Sequence, residues 1–92
     1  METRTYTAKF NVGQRISIDR PDYKVFHETP DPFEGLTGTI TRVIFPGDIL
    51  YEDWGIPNGT GAVNYDVELD KPHCGTTKYI FAENELVSSL AR

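Results

Sequence analysis

Two groups of neighbouring side chains in this 92-residue chain could perform proton-transfer or nucleophilic chemistry. One is His73 with Cys74, an imidazole beside a thiol, and the other is His27 with Glu28 or Asp31, an imidazole near a carboxylate. A histidine acts as a general base or activates a thiol only when the two groups face each other. Adjacent side chains on an extended segment point in opposite directions, so adjacency is weak evidence for either group.

The sequence lacks the patterns that catalytic and metal sites usually carry. It contains no serine elbow, no phosphate-binding loop and no HxxxH or HExxH spacing. Its single cysteine, Cys74, excludes an internal disulfide and a cysteine-based zinc site. We therefore predict that the chain is not an enzyme, holds no metal and no cofactor, and has no small-molecule substrate.

Composition narrows the class of partner. Nine basic and fourteen acidic side chains give a formal net charge of -5, which disfavours binding to phosphate backbones. No apolar run approaches the roughly 18 residues of a membrane span, and the polar first six residues do not resemble a signal peptide. We expect one small domain with a single hydrophobic core, located in the cytoplasm and without a membrane partner.

Short strands separated by turns dominate the pattern. Residues 63–70 alternate most clearly, with apolar side chains at odd positions facing the core and polar side chains at even positions facing outward. The outward carboxylates of Asp66, Glu68 and Asp70 fit a solvated sheet face better than a cation site. The predicted strands are residues 10–19 with a turn at Gly13, 36–45, 63–70, 78–81 and 86–88, the last preceded by a single 3₁₀ turn.

Two long loops carry most of the remaining aromatic side chains. Residues 20–34 hold three prolines, which disfavour a helix interior, so we predict an irregular loop there. Residues 49–62 contain the only tryptophan and the dipeptide Asn58-Gly59, a type I′ turn signal that would place a hairpin tip at residues 56–60. Each loop could cap the core or present an exposed anchor for a partner.

These elements predict an all-β fold. Closure of five short strands into a small SH3-like barrel removes exposed strand edges, with long loops after strands 1 and 2 and the 3₁₀ turn before the last strand. The barrel covers residues 10–88. Residues 1–9 form a flexible N-terminal arm or an added edge strand, and residues 89–92 form a tail.

Four segments resemble motifs of the electron-transport accessory superfamily of SH3-like barrels. Residues 12–16 resemble its opening "VGDRV", residues 35–43 its "GxxGxVxxV", residues 65–69 its "YxVxF" and residues 81–86 its "FxxxELE". The group includes the nitrile hydratase beta-subunit barrel, whose spacing is the most similar, the variable chain of ferredoxin-thioredoxin reductase and photosystem I subunit IV. The resemblance implies an accessory barrel that packs on a larger catalytic or electron-carrying subunit and has no cofactor of its own.

The first functional hypothesis is a non-catalytic accessory, adaptor or inhibitor domain that binds a larger protein, for example as a nitrile hydratase beta-like accessory subunit. Its contacts would come from aromatic loops that lie side by side at one end of the barrel. A phage- or plasmid-encoded inhibitor of a host enzyme is a special case of this reading. The predicted partner-binding residues are Tyr23, Phe26, His27, Phe33, Tyr51 and Trp54.

The alternative is a nucleic-acid-binding barrel of the KOW type, because "GxxGxVxxV" also occurs in such barrels. A local basic patch would have to overcome the negative total charge. The patch exists only if its basic side chains share a face that Asp19, Asp22 and Glu34 do not interrupt. Its members would be Arg15, Arg20, Lys24 and Arg42.

Overall fold

The structure is a computed structural model that describes residues 6–89, and it consists mainly of antiparallel strands. In chain order the elements are β1 (Arg15–Ile18), α1 (Pro21–Phe26), β2 (Thr37–Ile44), β3 (Ile49–Tyr51), β4 (Ile56–Pro57), β5 (Asn64–His73), β6 (Thr76–Ala82) and β7 (Leu86–Ser88). Two 3₁₀ turns, Glu52–Trp54 and Glu83–Glu85, precede β4 and β7. The all-β class is confirmed.

The strands form one five-stranded sheet in the order β6-β5-β2-β1-β7 and a separate two-stranded sheet of β3 and β4. All strand pairs are antiparallel. Within residues 6–89, the edge strands β6 and β7 do not pair with each other, so backbone hydrogen bonds do not close the sheet. Of the predicted arm and tail, residues 1–5 and 90–92 lie outside the described part of the chain, and residues 6–9 form no strand.

The inner face of the sheet forms the core, and β5 follows the predicted alternation there. Tyr65 has no exposed surface, and its hydroxyl accepts a hydrogen bond from the Phe10 backbone N–H (3.2 Å) and donates one to Glu83 Oε2 (2.6 Å). Burial, together with the Glu83 carboxylate, raises the pKa of Tyr65 to about 12. The buried apolar residues are Phe10, Ile16, Ile18, Ile40, Ile44, Val63, Tyr65, Val67, Leu69, Phe81 and Leu86.

One outward position of β5 departs from the alternation. Asn64 is only 6 % exposed, because the chain between β4 and β5 covers it, and its amide donates to the Thr60 hydroxyl (3.1 Å) and the Ala62 carbonyl (3.2 Å). A polar side chain is tolerated at a buried position when such bonds satisfy it. The expectation that Asn64 faces solvent is therefore wrong.

Gly38 lies where β2 and β5 pass too close together for a side chain on β2. It lies opposite Ile16 on one side and Leu69 on the other. A Cβ atom at this position would stand 2.6 Å from the Glu68 carbonyl oxygen and 2.9 Å from Val67 Cγ1. Only glycine, which has no Cβ atom, allows β5 to pass this close.

Helix α1 corrects the prediction of an irregular loop at residues 21–26. Pro21 is the first residue of the helix, where the missing N–H would have had no intrahelical partner and the fixed φ of proline suits a helix. The helix is six residues long and buries none of its residues. The prolines exclude a helix interior, as expected, but not a helix start.

The hairpin tip between β3 and β4 also differs from the prediction. The turn is the 3₁₀ segment Glu52–Trp54, whereas Asn58 is 2 % exposed and lies beyond β4. The Asn58 amide donates to the carbonyls of Ala62 (2.7 Å) and Ile44 (3.3 Å), and its Oδ1 accepts from the Thr60 hydroxyl (2.6 Å). Asn58 therefore fastens this segment to the end of β2. Asparagine side chains bond to backbone groups as readily as they form turns, and the Asn-Gly motif does not distinguish the two.

Strand β6 is an edge of the sheet, yet two of its outward-facing N–H groups are occupied. Lys78 and Ala82 belong to non-hydrogen-bonded pairs with β5. Their backbone N–H groups therefore point away from β5, toward the free edge of the sheet. The Lys78 N–H donates to Thr76 Oγ1 (3.1 Å), and the Ala82 N–H donates to Glu85 Oε1 (2.9 Å). The Ile80 N–H lies between these two blocked positions.

A tight turn joins β5 to β6, whose closing pair is His73 with Thr76. Its two central residues, Cys74 and Gly75, have φ angles of 52° and 85°. Positive φ at both positions defines a type I′ turn, which favours Asn-Gly and disfavours other side chains at the first position. Cys74 therefore occupies a backbone conformation that costs it roughly 1 kcal/mol.

We expect Cys74→Asn to raise the free energy of unfolding by about 0.5–1 kcal/mol, because asparagine adopts the left-handed conformation more readily. For a domain of this size the melting temperature would rise by roughly 2–8 °C, measurable by circular dichroism. Cys74→Ser is the matched control, since it removes the thiol without supplying a turn-forming side chain. Equal melting temperatures for the two variants would contradict the turn assignment.

Candidate functional site

The aromatic side chains of the two loops make no ring contact with each other within residues 6–89. The register places Tyr79 and Phe81 on the inner face of β6, and Ile80 on the outer face opposite Asp66. Phe33 packs on the inner-face rings, with ring centroids 5.1 Å from Tyr79 and 5.6 Å from Phe81. The β3–β4 hairpin lies beside the outer-face pair of Asp66 and Ile80. The predicted partner-binding residues therefore fall into two separate groups.

In the first group, Arg20 organises the loop that contains α1. Its guanidinium carbon lies 4.8 Å from the Tyr23 ring centroid and 4.7 Å from the Phe33 ring centroid. The His27 ring stacks on the Tyr23 ring, with 3.9 Å between the two ring centroids. Phe33 also packs against the core. Tyr23, His27 and Phe33 are thus engaged in holding this loop together.

Asp31 is the carboxylate that fixes Arg20. Its side chain is fully buried, accepts two hydrogen bonds from Arg20 (2.5 and 2.9 Å) and accepts one from the Phe33 N–H (2.9 Å). The Arg20 hydrogen bonds hold the pKa of Asp31 below its usual value. His27 takes no part in these bonds, and within residues 6–89 its ring forms no hydrogen bond to either carboxylate considered from the sequence, Glu28 or Asp31.

Phe26 stands apart from this packed cluster. It is 80 % exposed at the end of α1, and its neighbour Val25 is 76 % exposed. The other sequence pair, His73 with Cys74, is divided between two environments: the His73 ring packs on Phe33 at 4.3 Å between centroids, whereas Cys74 is exposed in the turn.

The second group lies on the β3–β4 hairpin and forms the strongest candidate site. Trp54 is 75 % exposed, and its ring centroid lies 5.9 Å from that of Tyr51. Ile49 and Ile56 are also exposed. We call these four residues the hairpin surface. Large apolar side chains grouped at the surface are typical of interaction sites.

Arg42 fastens the hairpin to the sheet. It donates to the carbonyls of Ile49 (2.8 Å) and Leu50 (3.3 Å), while its Nε donates to Asp66 Oδ2 (2.6 Å). A contact of 3.2 Å to Glu52 adds a second carboxylate. Arg42 therefore determines where the hairpin surface lies.

Arg42 reaches this position because β2 contains a bulge. The register with β5 shifts between Ile40 and Arg42, so the intervening Thr41 is the extra residue. Without the bulge, strand alternation would turn Arg42 to the same face as Ile40, which is buried in the core. The sequence predicts Arg42 in a basic patch and does not indicate this role, since nothing in the alternation signals a bulge.

A groove of about 380 Å³ runs between the hairpin and the outer face of β5 and β6. Tyr51 and Trp54 form one wall, and Ile80 and Lys78 belong to the opposite wall. Three carboxylates and two cations line the groove: Glu52, Asp53 and Asp66, with Arg42 and Lys78. The groove thus combines two aromatic rings with a negative border.

The basic side chains of the alternative nucleic-acid hypothesis are all paired with carboxylates. These ion pairs neutralise the cations, including through Asp19 and Glu34, which were expected to disrupt a patch. The pairs are Arg15 with Asp70, Arg20 with Asp31, Lys24 with Asp19 and Glu34, and Arg42 with Asp66 and Glu52. They also occupy two members of the outward carboxylate row, Asp66 and Asp70.

Among residues 6–89, no group of three or more His, Cys, Asp or Glu side chains is arranged to hold a metal ion. The same residues contain no helix long and apolar enough to cross a membrane. Comparison with protein-family models, curated proteins and solved structures found no match. The function must therefore be inferred from the site.

Proposed function

We propose that this chain is a non-catalytic accessory, adaptor or inhibitor domain that binds a larger protein through the hairpin surface. The observation that carries the proposal is the exposure of Trp54, at 75 %, beside Tyr51 and above a groove. Tryptophan and tyrosine supply large contact areas with few rotatable bonds and are enriched at the energetic centres of interfaces. Arg42 holds the hairpin in place, which lowers the ordering cost of binding.

The SH3-like part of the proposal is supported by the order of the strands. The arrangement β6-β5-β2-β1-β7, with a 3₁₀ turn before β7, is compatible with an SH3-like barrel in which the sheet curls around the core. We therefore propose the SH3-like architecture and the kinship with barrels such as that of the nitrile hydratase beta subunit. Under this proposal the partner is a larger subunit or enzyme.

The proposed contact is narrower than the set predicted from the sequence. Tyr51 and Trp54 belong to it, whereas Tyr23, His27 and Phe33 pack within the loop around Arg20. Phe26 is exposed but belongs to the other group. The ion pairs described above weigh against the nucleic-acid alternative, because they leave no cluster of uncompensated cations among the four residues of the supposed patch.

Trp54→Ala should abolish capture of the partner while leaving the melting temperature nearly unchanged, because an exposed ring contributes little to the core. Loss of an interface anchor costs about 2 kcal/mol or more, or roughly a thirtyfold weakening. The measurement is affinity capture by the tagged domain from native cell extract, with and without nuclease. Phe26→Ala, an equally exposed aromatic of the other group, serves as the control.

Capture that survives Trp54→Ala would refute the hairpin surface as the binding site. Recovery of RNA or DNA, or of proteins lost on nuclease treatment, would instead favour the nucleic-acid alternative. A decrease in melting temperature as large as that of a core variant would show that Trp54 stabilises the fold.

A further inference from the structure

We infer that the segment docking on the hairpin surface is a basic stretch of the partner protein that places an arginine or lysine side chain over the Trp54 ring. This inference rests on the proposed function and adds the chemistry of the partner. The observations behind it are the charges beside Trp54, the ring itself, and an equivalent arrangement elsewhere in the chain.

Among the described residues, the unpaired charge in the turn that carries Trp54 is negative, and Lys78, the unpaired cation of the groove, belongs to the opposite wall. Arg42 is fully engaged, by the carboxylates of Asp66 and Glu52 and by the carbonyls of Ile49 and Leu50, so it offers little to a ligand. Asp53 makes no ion pair within residues 6–89, and the Glu52 side chain is 70 % exposed. Both carboxylates precede Trp54 directly in the same 3₁₀ turn.

A cation suits this combination better than an apolar side chain does. The face of an indole ring attracts ammonium and guanidinium groups, and tryptophan does so most strongly among the aromatic residues. A guanidinium is also weakly hydrated, so it stacks on a ring while donating to a neighbouring carboxylate. At the hairpin surface, Trp54 would supply the ring and Asp53 the acceptor, while the exposed Glu52 carboxylate is shared with Arg42.

The chain already contains such an arrangement around Arg20. That guanidinium lies within 5 Å of the Tyr23 and Phe33 centroids while it forms two hydrogen bonds to Asp31. Trp54 and Tyr51 with Asp53 supply the same chemical groups at the surface, but no cation of residues 6–89 lies over their rings. A partner would complete the set.

Charge also disfavours the other occupants of the groove. A second copy of this chain would bring a formal charge of -5 and the same carboxylates to the contact. A nucleic acid would bring phosphates to Glu52 and Asp53. A basic protein segment would instead be attracted at long range, and its binding would weaken as ionic strength rises.

The test selects random linear peptides displayed on phage against the folded full chain, with Trp54→Ala as the counter-selecting protein. We expect the enriched sequences to share an arginine or lysine. Synthetic peptides are then titrated while the fluorescence of Trp54, the only tryptophan, is recorded. Replacing the shared basic residue by glutamine should weaken binding about tenfold, which is the combined effect of a cation–π contact and an ion pair.

Two matched variants test the role of the carboxylates. Asp53→Asn should weaken the basic peptide about threefold, the effect of one exposed ion pair. Glu28→Gln removes one exposed charge after α1 and should leave the affinity unchanged. Adding salt should reduce the difference between wild type and Asp53→Asn.

The inference is overturned if no sequence is enriched, if the enriched sequences lack basic residues, or if the glutamine peptide binds as tightly as its parent. These outcomes differ from failure of the proposed function. If Trp54→Ala loses the native partner while basic and neutral peptides behave alike, the hairpin surface binds a protein of another chemistry. If Trp54→Ala retains the native partner, the site itself is wrong.

Discussion

Gly38→Ala is expected to destabilise the fold more than any other exchange of glycine for alanine within residues 6–89. The new Cβ would stand 2.6 Å from a backbone oxygen, that of Glu68, and this atom cannot move without breaking the β2–β5 ladder. Overpacking of this kind costs about 3 kcal/mol. The melting temperature should therefore decrease by roughly 12–24 °C, measurable by circular dichroism or calorimetry.

Gly59→Ala is the control for this experiment. A Cβ at Gly59 would meet nothing within 4 Å, and the φ angle of Gly59 is not positive. Alanine there should be neutral or stabilise by about 0.4–1 kcal/mol, since it reduces the freedom of the unfolded chain. If Gly38→Ala behaves like Gly59→Ala, β5 does not pass β2 as closely as described.

The second large effect is expected from Asp31→Asn. Asparagine keeps the shape of the side chain but removes its charge, which leaves the Arg20 guanidinium with only a weak acceptor at a site where the Arg20 side chain is 19 % exposed. Breaking such a pair from one side costs about 3 kcal/mol. The denaturant midpoint should decrease, and residues 20–34 should become sensitive to limited proteolysis, because Arg20 no longer joins Tyr23 to Phe33.

Asp70→Asn distinguishes the effect of burial on stability from the effect of the ion pair itself. Asp70 also accepts two hydrogen bonds from an arginine, Arg15, but the two side chains are 40 % and 46 % exposed. Exposed pairs contribute less than about 1 kcal/mol because water and salt screen them. A loss for Asp70→Asn that matches the loss for Asp31→Asn would show that burial of Asp31 is not the source of its effect.

The pH dependence follows from the pKa of Asp31, which is lower in the folded chain than in the unfolded chain. The folded state therefore binds fewer protons at this group, and the stabilisation is complete above the unfolded pKa of about 3.9. It is lost as the pH falls below about 4 and toward the folded pKa. Wild type should lose stability more steeply than Asp31→Asn in that range, as measured by urea unfolding at several pH values.

Where a strand is exposed on one face, the sequence predicted it well. The alternation of residues 63–70 identified β5, and residues 86–88 with their preceding 3₁₀ turn were also predicted within the observed bounds. The inward side chains of Tyr65, Val67 and Leu69 are buried. Such strands are predictable because each residue has only two orientations, one toward the core and one toward solvent.

The errors occurred where one side chain has two uses. Pro21 disfavours a helix interior but suits a helix start, and Asn58 suits a turn tip but equally well bonds a buried backbone. The bulge at Thr41 reversed the orientation of Arg42, which no local pattern indicates. For the candidate site, the sequence therefore identified Tyr51 and Trp54 but neither the side chain that positions them nor the separation of the two loops.

The blocked edge of β6 affects how this chain behaves at high concentration. Growth of cross-β fibrils and exchange of strands between molecules both begin when a free edge accepts a foreign backbone. An incoming strand would find the N–H groups of Lys78 and Ala82 already bound to Thr76 and Glu85. The chain is therefore protected against templated aggregation at these two positions of β6.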